Sequence, residues 1–348
     1  MRKERHKECR FGTLFFIYAC AVSYRLIWEN QKSICTRAGD FTENLRYVLP
    51  VRISEMLFQT PQDKLETVSE LRLRIGQPVI VRTGFTENGL GERGLQREPG
   101  TVFSAADALA FMTRINERSP YAHAQSMQSG FVTVRGGHRI GMGGQAVCSG
   151  GQVSCIVGQS CFCIRCAHEV KGCFEKIRSL VFTESVCSCL FFSLPGGGKT
   201  TMLRDCCRTL SREGYNVSLI DERNEIAACC AGVPTLDLGT RCDVLAGCPR
   251  SEGMMMALRT LAPDVIITDE LGGEKDAEAV RDAINGGVAV IASAHAGSIE
   301  ELKRRGYADG MGFERYVYLS RGAGGTAFRV YGQDMKPLIM RGGRVCCI

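Results

Sequence analysis

Residues 190–201 have the sequence Leu-Phe-Phe-Ser-Leu-Pro-Gly-Gly-Gly-Lys-Thr-Thr, in which a short apolar run leads directly into three glycines, a lysine and two threonines. A helix-like spacing of apolar residues follows from Met202. Glycines allow backbone N–H groups to turn inward around phosphate oxygens, and the N-terminus of a following helix adds its positive dipole. The stretch therefore predicts a P-loop that binds a nucleotide. The expected contacts are Ser193, Leu194, Pro195, Gly196, Gly197, Gly198, Lys199, Thr200 and Thr201.

Two side chains of this loop have predicted chemical roles. Lys199 is expected to reach the β and γ phosphates of ATP, and the hydroxyl of Thr200 to bind Mg²⁺. Ser193 stands where the GxxxxGK[ST] pattern has its first glycine, so its backbone is expected to take a turn conformation with a Cβ present. The alternative is a glycine-rich turn that precedes Lys-Thr by chance, and the flanking strand and helix patterns argue against it.

Acidic residues end two further strand-like runs. Residues 264–270 end in Asp269 and Glu270, and the run over 216–220 is followed closely by Glu222. In a parallel sheet the carboxyl ends of strands meet beside the phosphate loop. Asp269 is therefore expected to hold Mg²⁺ and Glu270 to polarise the attacking water, with Glu222 as a second candidate for the catalytic base. Each carboxylate could instead be a solvated loop charge, which is the commoner position of an acidic residue.

One histidine and three arginines complete the candidate site. His295 follows the strand-like run over 288–294, where a polar residue commonly senses the γ phosphate, although a structural role is equally favoured. Arg241, Arg250 and Arg259 are candidates to stabilise the transition state in the site of a neighbouring subunit. The alternative is that they are surface or helix-capping arginines, and the sequence does not choose among the three.

Several segments together resemble the stage III sporulation protein AA family, namely residues 194–205, 220–227, 247–256, 261–270 and 294–302. The resemblance continues upstream through residues 69–74 and 136–141, so it covers nearly everything after about residue 41. Such proteins are similar to the ATPases of type II and type IV secretion systems, whose RecA-like cores assemble into hexameric rings. In that comparison Glu222 falls in the acidic box and His295 in the histidine box. Asp269 stands where secretion ATPases usually have glycine, which leaves open which carboxylate governs the metal and whether Glu222 or Glu270 is the base.

Fold and function follow from this resemblance as expectations. We expect an α/β fold with a RecA-like P-loop core, a mainly parallel sheet and a smaller N-terminal α+β module. The expected divisions are an N-terminal extension over residues 1–40, the module over 41–180 and the ATPase domain over 181–340. The resemblance implies a Mg²⁺-dependent ATP hydrolase on the mother-cell side of the channel that joins mother cell and forespore during endospore formation. Its expected partners are further copies in a hexameric ring and membrane channel subunits, to which the cytoplasmic protein is peripheral.

Composition and charge argue against several other classes of protein. The chain has 348 residues, 45% of them hydrophobic, so it can bury the cores of two domains. A formal charge of +6 argues weakly against a dedicated duplex-DNA binder. Among its 19 cysteines are the adjacent pairs 206–207, 229–230 and 346–347, which suit small buried hydrophobes better than disulfides. Zinc is not expected, because Cys163 and Cys166 lack a regular second ligand pair and the alternation around them is typical of a strand.

The N-terminal part of the chain has less distinct signals. Residues 2–10 are basic and lead into an apolar run over 11–22, the layout of a signal peptide or short anchor. That run is shorter than the roughly 20 residues of a spanning helix. A membrane-surface anchor and an upstream extension of the reading frame are the alternatives, and the extension is slightly favoured. Downstream, Ser104 is expected to cap a helix over 105–116 whose buried side carries Leu109, Phe111 and Met112.

Two other functions stay open. A basic sheet face in the module could support nucleotide-switched binding of single-stranded nucleic acid, although such alternation is more often the solvated side of a sheet. Its members are Arg72, Arg74, Arg135 and Arg139. The second alternative is a structural channel subunit that binds ATP without turnover.

Overall fold

The computed structural model describes residues 41–84, 86–118, 131–149, 152–182, 185–229, 232–307, 310–322, 325–341 and 344–347. The N-terminal extension expected over residues 1–40, with its apolar run, lies outside them. In the part of the chain that is described, no helix is both long and apolar enough to cross a membrane.

The N-terminal part forms a seven-stranded sheet in which neighbouring strands are antiparallel, in the order β4-β3-β2-β1-β7-β6-β5. Its strands are β1 (Val68–Arg74), β2 (Ile80–Thr83), β3 (Thr86–Gly91), β4 (Gly94–Gln96), β5 (Phe131–Val134), β6 (His138–Ser149) and β7 (Gln152–Arg165). Its helices are α1 (Phe41–Val48), α2 (Val51–Leu57), α3 (Gln62–Leu65) and α4 (Ala105–Arg118). Their buried side chains form one hydrophobic cluster that extends from Leu45 to Ile164.

Helix α4 begins as predicted. The Ser104 hydroxyl accepts a hydrogen bond from the Asp107 backbone N–H at 3.1 Å, and Asp107 Oδ2 accepts one from the Ser104 N–H at 2.8 Å. This reciprocal pair satisfies two backbone donors at the helix start. The prediction that Leu109 is buried is wrong, since its side chain is 71% exposed. The buried residues of this helix are instead Ala108, Phe111 and Ile115, whose spacing of three and four residues places them on one helix face.

The second sheet has seven strands in the order β10-β9-β11-β12-β8-β13-β14. Its strands are β8 (Cys189–Ser193), β9 (Val217–Asp221), β10 (Cys242–Ala246), β11 (Val265–Glu270), β12 (Ala289–His295), β13 (Arg315–Gly322) and β14 (Gly325–Tyr331). All neighbouring pairs are parallel except β13 and β14. This confirms the mainly parallel α/β core. A separate hairpin joins β15 (Leu338–Arg341) to β16 (Arg344–Cys347).

Helices cover both faces of the parallel sheet. They are α5 (Arg178–Val181), α6 (Lys199–Arg212), α7 (Arg250–Thr260), α8 (Glu274–Asn285) and α9 (Ile299–Arg304). Along β8, Cys189 and Phe191 pack in the cluster that contains α6, whereas Leu190 and Phe192 pack in the cluster of α7 and α8. A strand buried on both faces is apolar without alternation, which is why residues 189–192 form one continuous apolar run.

The hydrophobic clusters divide at a point in the chain between Ile164 and Phe174. From Phe174 onward the buried side chains belong to the parallel sheet. The domain divisions at residues 40 and 180 stay a prediction.

The cysteines from Cys148 to Cys248 whose side chains the structure describes are free thiols. Cys206 and Cys207 are fully buried within α6, which confirms that this adjacent pair fills the core. Cys161 and Cys163 lie on β7, the predicted strand. Burial raises the pKa of the Cys166 thiol far above its usual value, so this side chain acts as a small hydrophobe. Within the described ranges, no group of three or more His, Cys, Asp or Glu side chains could hold a metal.

Candidate nucleotide-binding site

The phosphate loop joins the end of β8 to the start of α6. Gly196 has φ +77° and Gly198 has φ +96°, a left-handed conformation that favours glycine. The Gly197 N–H donates to the Leu194 carbonyl at 3.1 Å, and the Met202 N–H donates to the Gly198 carbonyl at 3.0 Å. The loop thus turns directly into the first turn of α6, where backbone N–H groups have no partner within the helix. Such an N-terminus favours an anion.

Ser193 is compatible with this loop for a reason that the sequence pattern does not reveal. It is the last residue of β8 and is fully buried, and its φ is not positive, so the expectation that its backbone takes a turn conformation is wrong. Its hydroxyl donates to the Leu194 carbonyl at 2.8 Å. A Cβ on Gly197 would lie 2.4 Å from Ser193 Oγ and 2.5 Å from Ser193 Cβ. The serine therefore fits because residue 197 is glycine.

A chain of contacts links the loop lysine to the acidic strand β11. Lys199 Nζ lies 2.9 Å from His295 Nδ1, and His295 Nε2 lies 2.8 Å from Glu270 Oε2. The two contacts are satisfied together when Nδ1 accepts from the ammonium and Nε2 carries the proton. Burial lowers the pKa of Lys199, and the nearby Glu270 carboxylate partly opposes that shift. His295 can bridge the two because β12 lies between β8 and β11.

A β-bulge separates the directions of the two acids on β11. Ile267 pairs with Ile291 of β12, but the next pair joins Glu270 to Ser293, so two residues of β11 oppose one of β12. An extra residue of this kind re-aims neighbouring side chains. Glu270 contacts His295, whereas Asp269 accepts a hydrogen bond from Arg250 Nε at 2.5 Å.

Arg250 lies at the centre of a group of carboxylates. Its Nη1 is 2.6 Å from Glu222 Oε2 and 3.6 Å from Asp276 Oδ2, in addition to the contact between its Nε and Asp269. Burial raises the pKa of Asp269 to about 6, with further increases from Asp221 and Glu222, while the hydrogen bond and charge of Arg250 oppose the rise.

Asp221 organises the segment that follows β9. Its carboxylate accepts hydrogen bonds from the backbone N–H groups of Glu225, Ile226 and Ala227 at 3.0, 3.0 and 2.8 Å. From the other side, the buried Arg204 of α6 donates to the Glu225 and Ile226 carbonyls at 2.6 and 2.7 Å. No motif in the sequence assigns a role to Asp221, Arg204 or Asp276, because their contacts depend on the fold and not on a recognised residue spacing.

The remaining two candidate arginines lie elsewhere. Arg241 precedes β10 and so lies at the amino edge of the sheet, where its Nη1 donates to the Gly214 carbonyl and to Asn216 Oδ1 at 3.2 and 3.3 Å. Arg259 is exposed in the last turn of α7. Of the three arginines, Arg250 contacts the acidic residues of the candidate site. A role for any of them in a neighbouring subunit stays a prediction.

The residues that are present fit a nucleotide with Mg²⁺. Gly196 and Gly198 take the left-handed backbone conformations that turn the loop into α6, and the Lys199 side chain is buried where the loop meets β12. Thr200 and Asp269 offer a hydroxyl and a carboxylate, the oxygen ligands that Mg²⁺ prefers.

The family model for sporulation stage III, protein AA, matches residues 40–336. The chain belongs to this family. Stage III sporulation protein AA of Bacillus subtilis (strain 168) is 34% identical over 311 residues, which are 86% of this chain and 98% of that protein. The resemblance stated from the motifs is thereby confirmed.

Two solved structures share the fold. The pilus retraction motor PilT with bound ADP has a TM-score of 0.52 and 16% identity, covering 77% of this chain and 80% of that chain. The ATPase DotB of Legionella pneumophila has a TM-score of 0.51 and 14% identity, covering 77% of each chain. These likenesses concern the fold alone, and they confirm the α/β fold predicted for the core.

Proposed function

We propose that this chain is a Mg²⁺-dependent ATPase that energises a channel or secretion-like complex between mother cell and forespore during endospore formation. The observation that carries the proposal is the series of contacts from Lys199 through His295 to Glu270. It joins the loop that fits phosphates to the strand end where a water-activating carboxylate is needed.

The residues predicted to bind phosphate, bind the metal and activate water each have a role in this proposal. The backbone of residues 193–201 holds the phosphates, and Lys199 neutralises the β and γ groups. Thr200 and Asp269 hold Mg²⁺, which neutralises phosphate charge when it is bound. Glu270 positions and deprotonates the attacking water. His295 senses the γ phosphate by exchanging its contact with Lys199 for a contact with the phosphate.

The contacts favour Glu270 over Glu222 as the base. Glu222 forms an ion pair with Arg250 at 2.6 Å, whereas the Arg223 guanidinium lies 3.9 Å from Glu270, so Glu222 is the more closely paired of the two. The 2.8 Å contact of Glu270 is with a histidine that also reaches the P-loop lysine. Glu222 is therefore assigned to charge balance rather than to proton transfer.

Assembly and location belong to the same proposal. We infer a hexameric ring of cytoplasmic subunits, bound to the membrane through channel proteins, with nucleotide near the subunit boundaries. The N-terminal module would follow the state of the site through the segment after β9. This segment contacts the module, because Arg139 Nη1 lies 2.6 Å from Glu225 Oε1 and the Gly136 N–H donates to Thr235 Oγ1 at 2.9 Å.

Substitution of two residues tests the proposal. Lys199→Ala is expected to abolish nucleotide binding, because the buried ammonium is lost from the loop. Glu270→Gln should bind ATP normally and lose turnover by about 10²-fold or more, the typical contribution of a general base. Glu222→Gln is the matched control and should retain more activity. Steady-state hydrolysis and equilibrium ATP binding, with size-exclusion mass measured with and without ATP, are the assays. Wild-type turnover in Glu270→Gln would remove this residue from the mechanism.

Nucleic-acid binding is the alternative function, and the contacts of the basic face weigh against it. Arg72 forms an ion pair with Glu70 at 2.5 Å, and Arg139 forms one with Glu225. These acidic partners reduce the positive charge available to phosphates. A steep salt dependence of binding to single-stranded RNA or DNA would support the alternative.

A further inference from the structure

Arg250 contacts acidic groups from three separate elements of its own chain. These are Glu222 after β9, Asp269 on β11 and Asp276 in the first turn of α8. The Arg250 side chain is only 11% exposed, so the guanidinium is largely withdrawn from water. A planar guanidinium can hydrogen-bond to several carboxylates at once, which a lysine ammonium cannot do with the same geometry.

Helix stability does not explain this position. Arg250 is the first residue of α7, after Pro249, and a positive side chain in the first turn is opposed by the helix dipole. The carboxylates do explain it. Asp221, Glu222, Asp269 and Asp276 converge at one edge of the sheet, where like charges repel one another and a cation among them reduces that repulsion.

We propose that Arg250 is a positioning residue of its own subunit, which holds Asp269 and Glu222 in place and balances their charge so that a polyanionic nucleotide can bind beside them. The inference rests on the proposed function, because it concerns the same site. It replaces the role in a neighbouring subunit that the sequence left open for Arg250. A guanidinium committed to these carboxylates would have to break two short ion pairs before it could reach another chain.

Nucleotide binding with and without metal tests the inference. The affinity for ADP is measured by titration calorimetry, once with Mg²⁺ and once with EDTA, for the wild type and Arg250→Gln. Loss of one positive charge among carboxylates is expected to weaken the binding of metal-free ADP by about tenfold or more. Binding of Mg·ADP should weaken less, because the metal supplies the missing charge. The quantity compared is the ratio of the ADP affinity with Mg²⁺ to the ADP affinity with EDTA. Arg250→Lys should give a ratio between those of the wild type and Arg250→Gln. Arg259→Gln changes an exposed arginine of the same helix and should leave the ratio at the wild-type value.

A second measurement does not need nucleotide. Arg250→Gln should lower the thermal unfolding midpoint, and adding Glu222→Gln should restore part of that loss because one uncompensated carboxylate is removed. Equal weakening of both forms of ADP, without recovery in the double variant, would mean a packing role and overturn the inference. Unchanged binding with turnover lost only in the oligomer would assign Arg250 to a neighbouring site and also overturn it. Absence of nucleotide binding by the wild type would refute the proposed function, while the unfolding comparison would still decide the role of Arg250.

Discussion

The close approach of Gly197 to Ser193 predicts that a larger residue at position 197 disturbs the phosphate loop. In Gly197→Ala the new Cβ would lie 2.4 Å from Ser193 Oγ, 2.5 Å from Ser193 Cβ and 3.1 Å from the Leu194 carbonyl oxygen. The hydroxyl can rotate away, but the Ser193 Cβ is fixed to a buried strand, so the loop backbone must shift. Because Gly197 does not have a positive φ, alanine adds no left-handed strain. The substitution therefore tests the steric contact with residues 193 and 194 without added backbone strain.

The expected effect of Gly197→Ala follows from the free-energy cost of overpacking, which is about 1–3 kcal/mol. If this cost falls on the binding-competent loop, ATP affinity drops by about 5- to 150-fold. Replacing Ser193 by glycine removes both of the shortest contacts. Ser193→Gly/Gly197→Ala should therefore recover most of the lost affinity, with a coupling of about 1–2 kcal/mol between the two positions.

A double-mutant cycle measured by binding of a fluorescent ATP analogue is the assay. Gly196→Ala is the matched control, because an added Cβ there meets nothing within 4 Å and the cost comes from φ +77°. That strain, about 1–2 kcal/mol, should not depend on residue 193. The reasoning is refuted if Ser193→Gly and Gly197→Ala are additive to within about 0.3 kcal/mol.

Two further predictions concern stability. Burial opposes ionisation of Asp107, but the hydrogen bonds from Arg52 and Ser104 outweigh it and lower its pKa to about 2. Because that pKa is below the unfolded value of 3.8, the stabilisation is present above about pH 4 and is lost as the pH falls towards 2. Asp107→Asn should thus lower the free energy of unfolding by about 2 kcal/mol at pH 7, and urea titrations should show this difference shrinking between pH 4 and pH 2. Arg204→Ala should lower the free energy of unfolding by about 2–4 kcal/mol, because it leaves a buried carbonyl and a half-buried carbonyl without their donor. Arg139→Ala breaks a half-exposed ion pair to the same segment and should lower the free energy of unfolding by less than about 1 kcal/mol. Equal costs by urea unfolding would contradict the buried role of Arg204.

Much of the fold followed from local sequence. The run from Leu190 to Thr201 predicts strand, loop and helix because these elements are contiguous, and β8 and α6 occupy those positions. Residues 264–270 and 288–294 likewise predicted β11 and β12 to within one residue at each end. The apolar spacing over residues 254–261 predicts a helix that starts at Met254, but α7 begins at Arg250, directly after its N-cap residue Pro249. The sequence over residues 174–181 also predicts a helix, of which only Arg178–Val181 is α-helical.

The sequence by itself determined that a phosphate-binding loop and acidic strand ends would lie at one edge of a parallel sheet, because strand, turn and helix signals are encoded within short stretches. Only the tertiary structure decided which side chains meet there. Lys199 and His295 are 96 residues apart, and they touch because β12 is inserted between β8 and β11. A bulge in β11 turns Asp269 to Arg250 and leaves Glu270 with His295. Strand order and local register arise from packing of the whole core, so neither can be obtained from residue spacing.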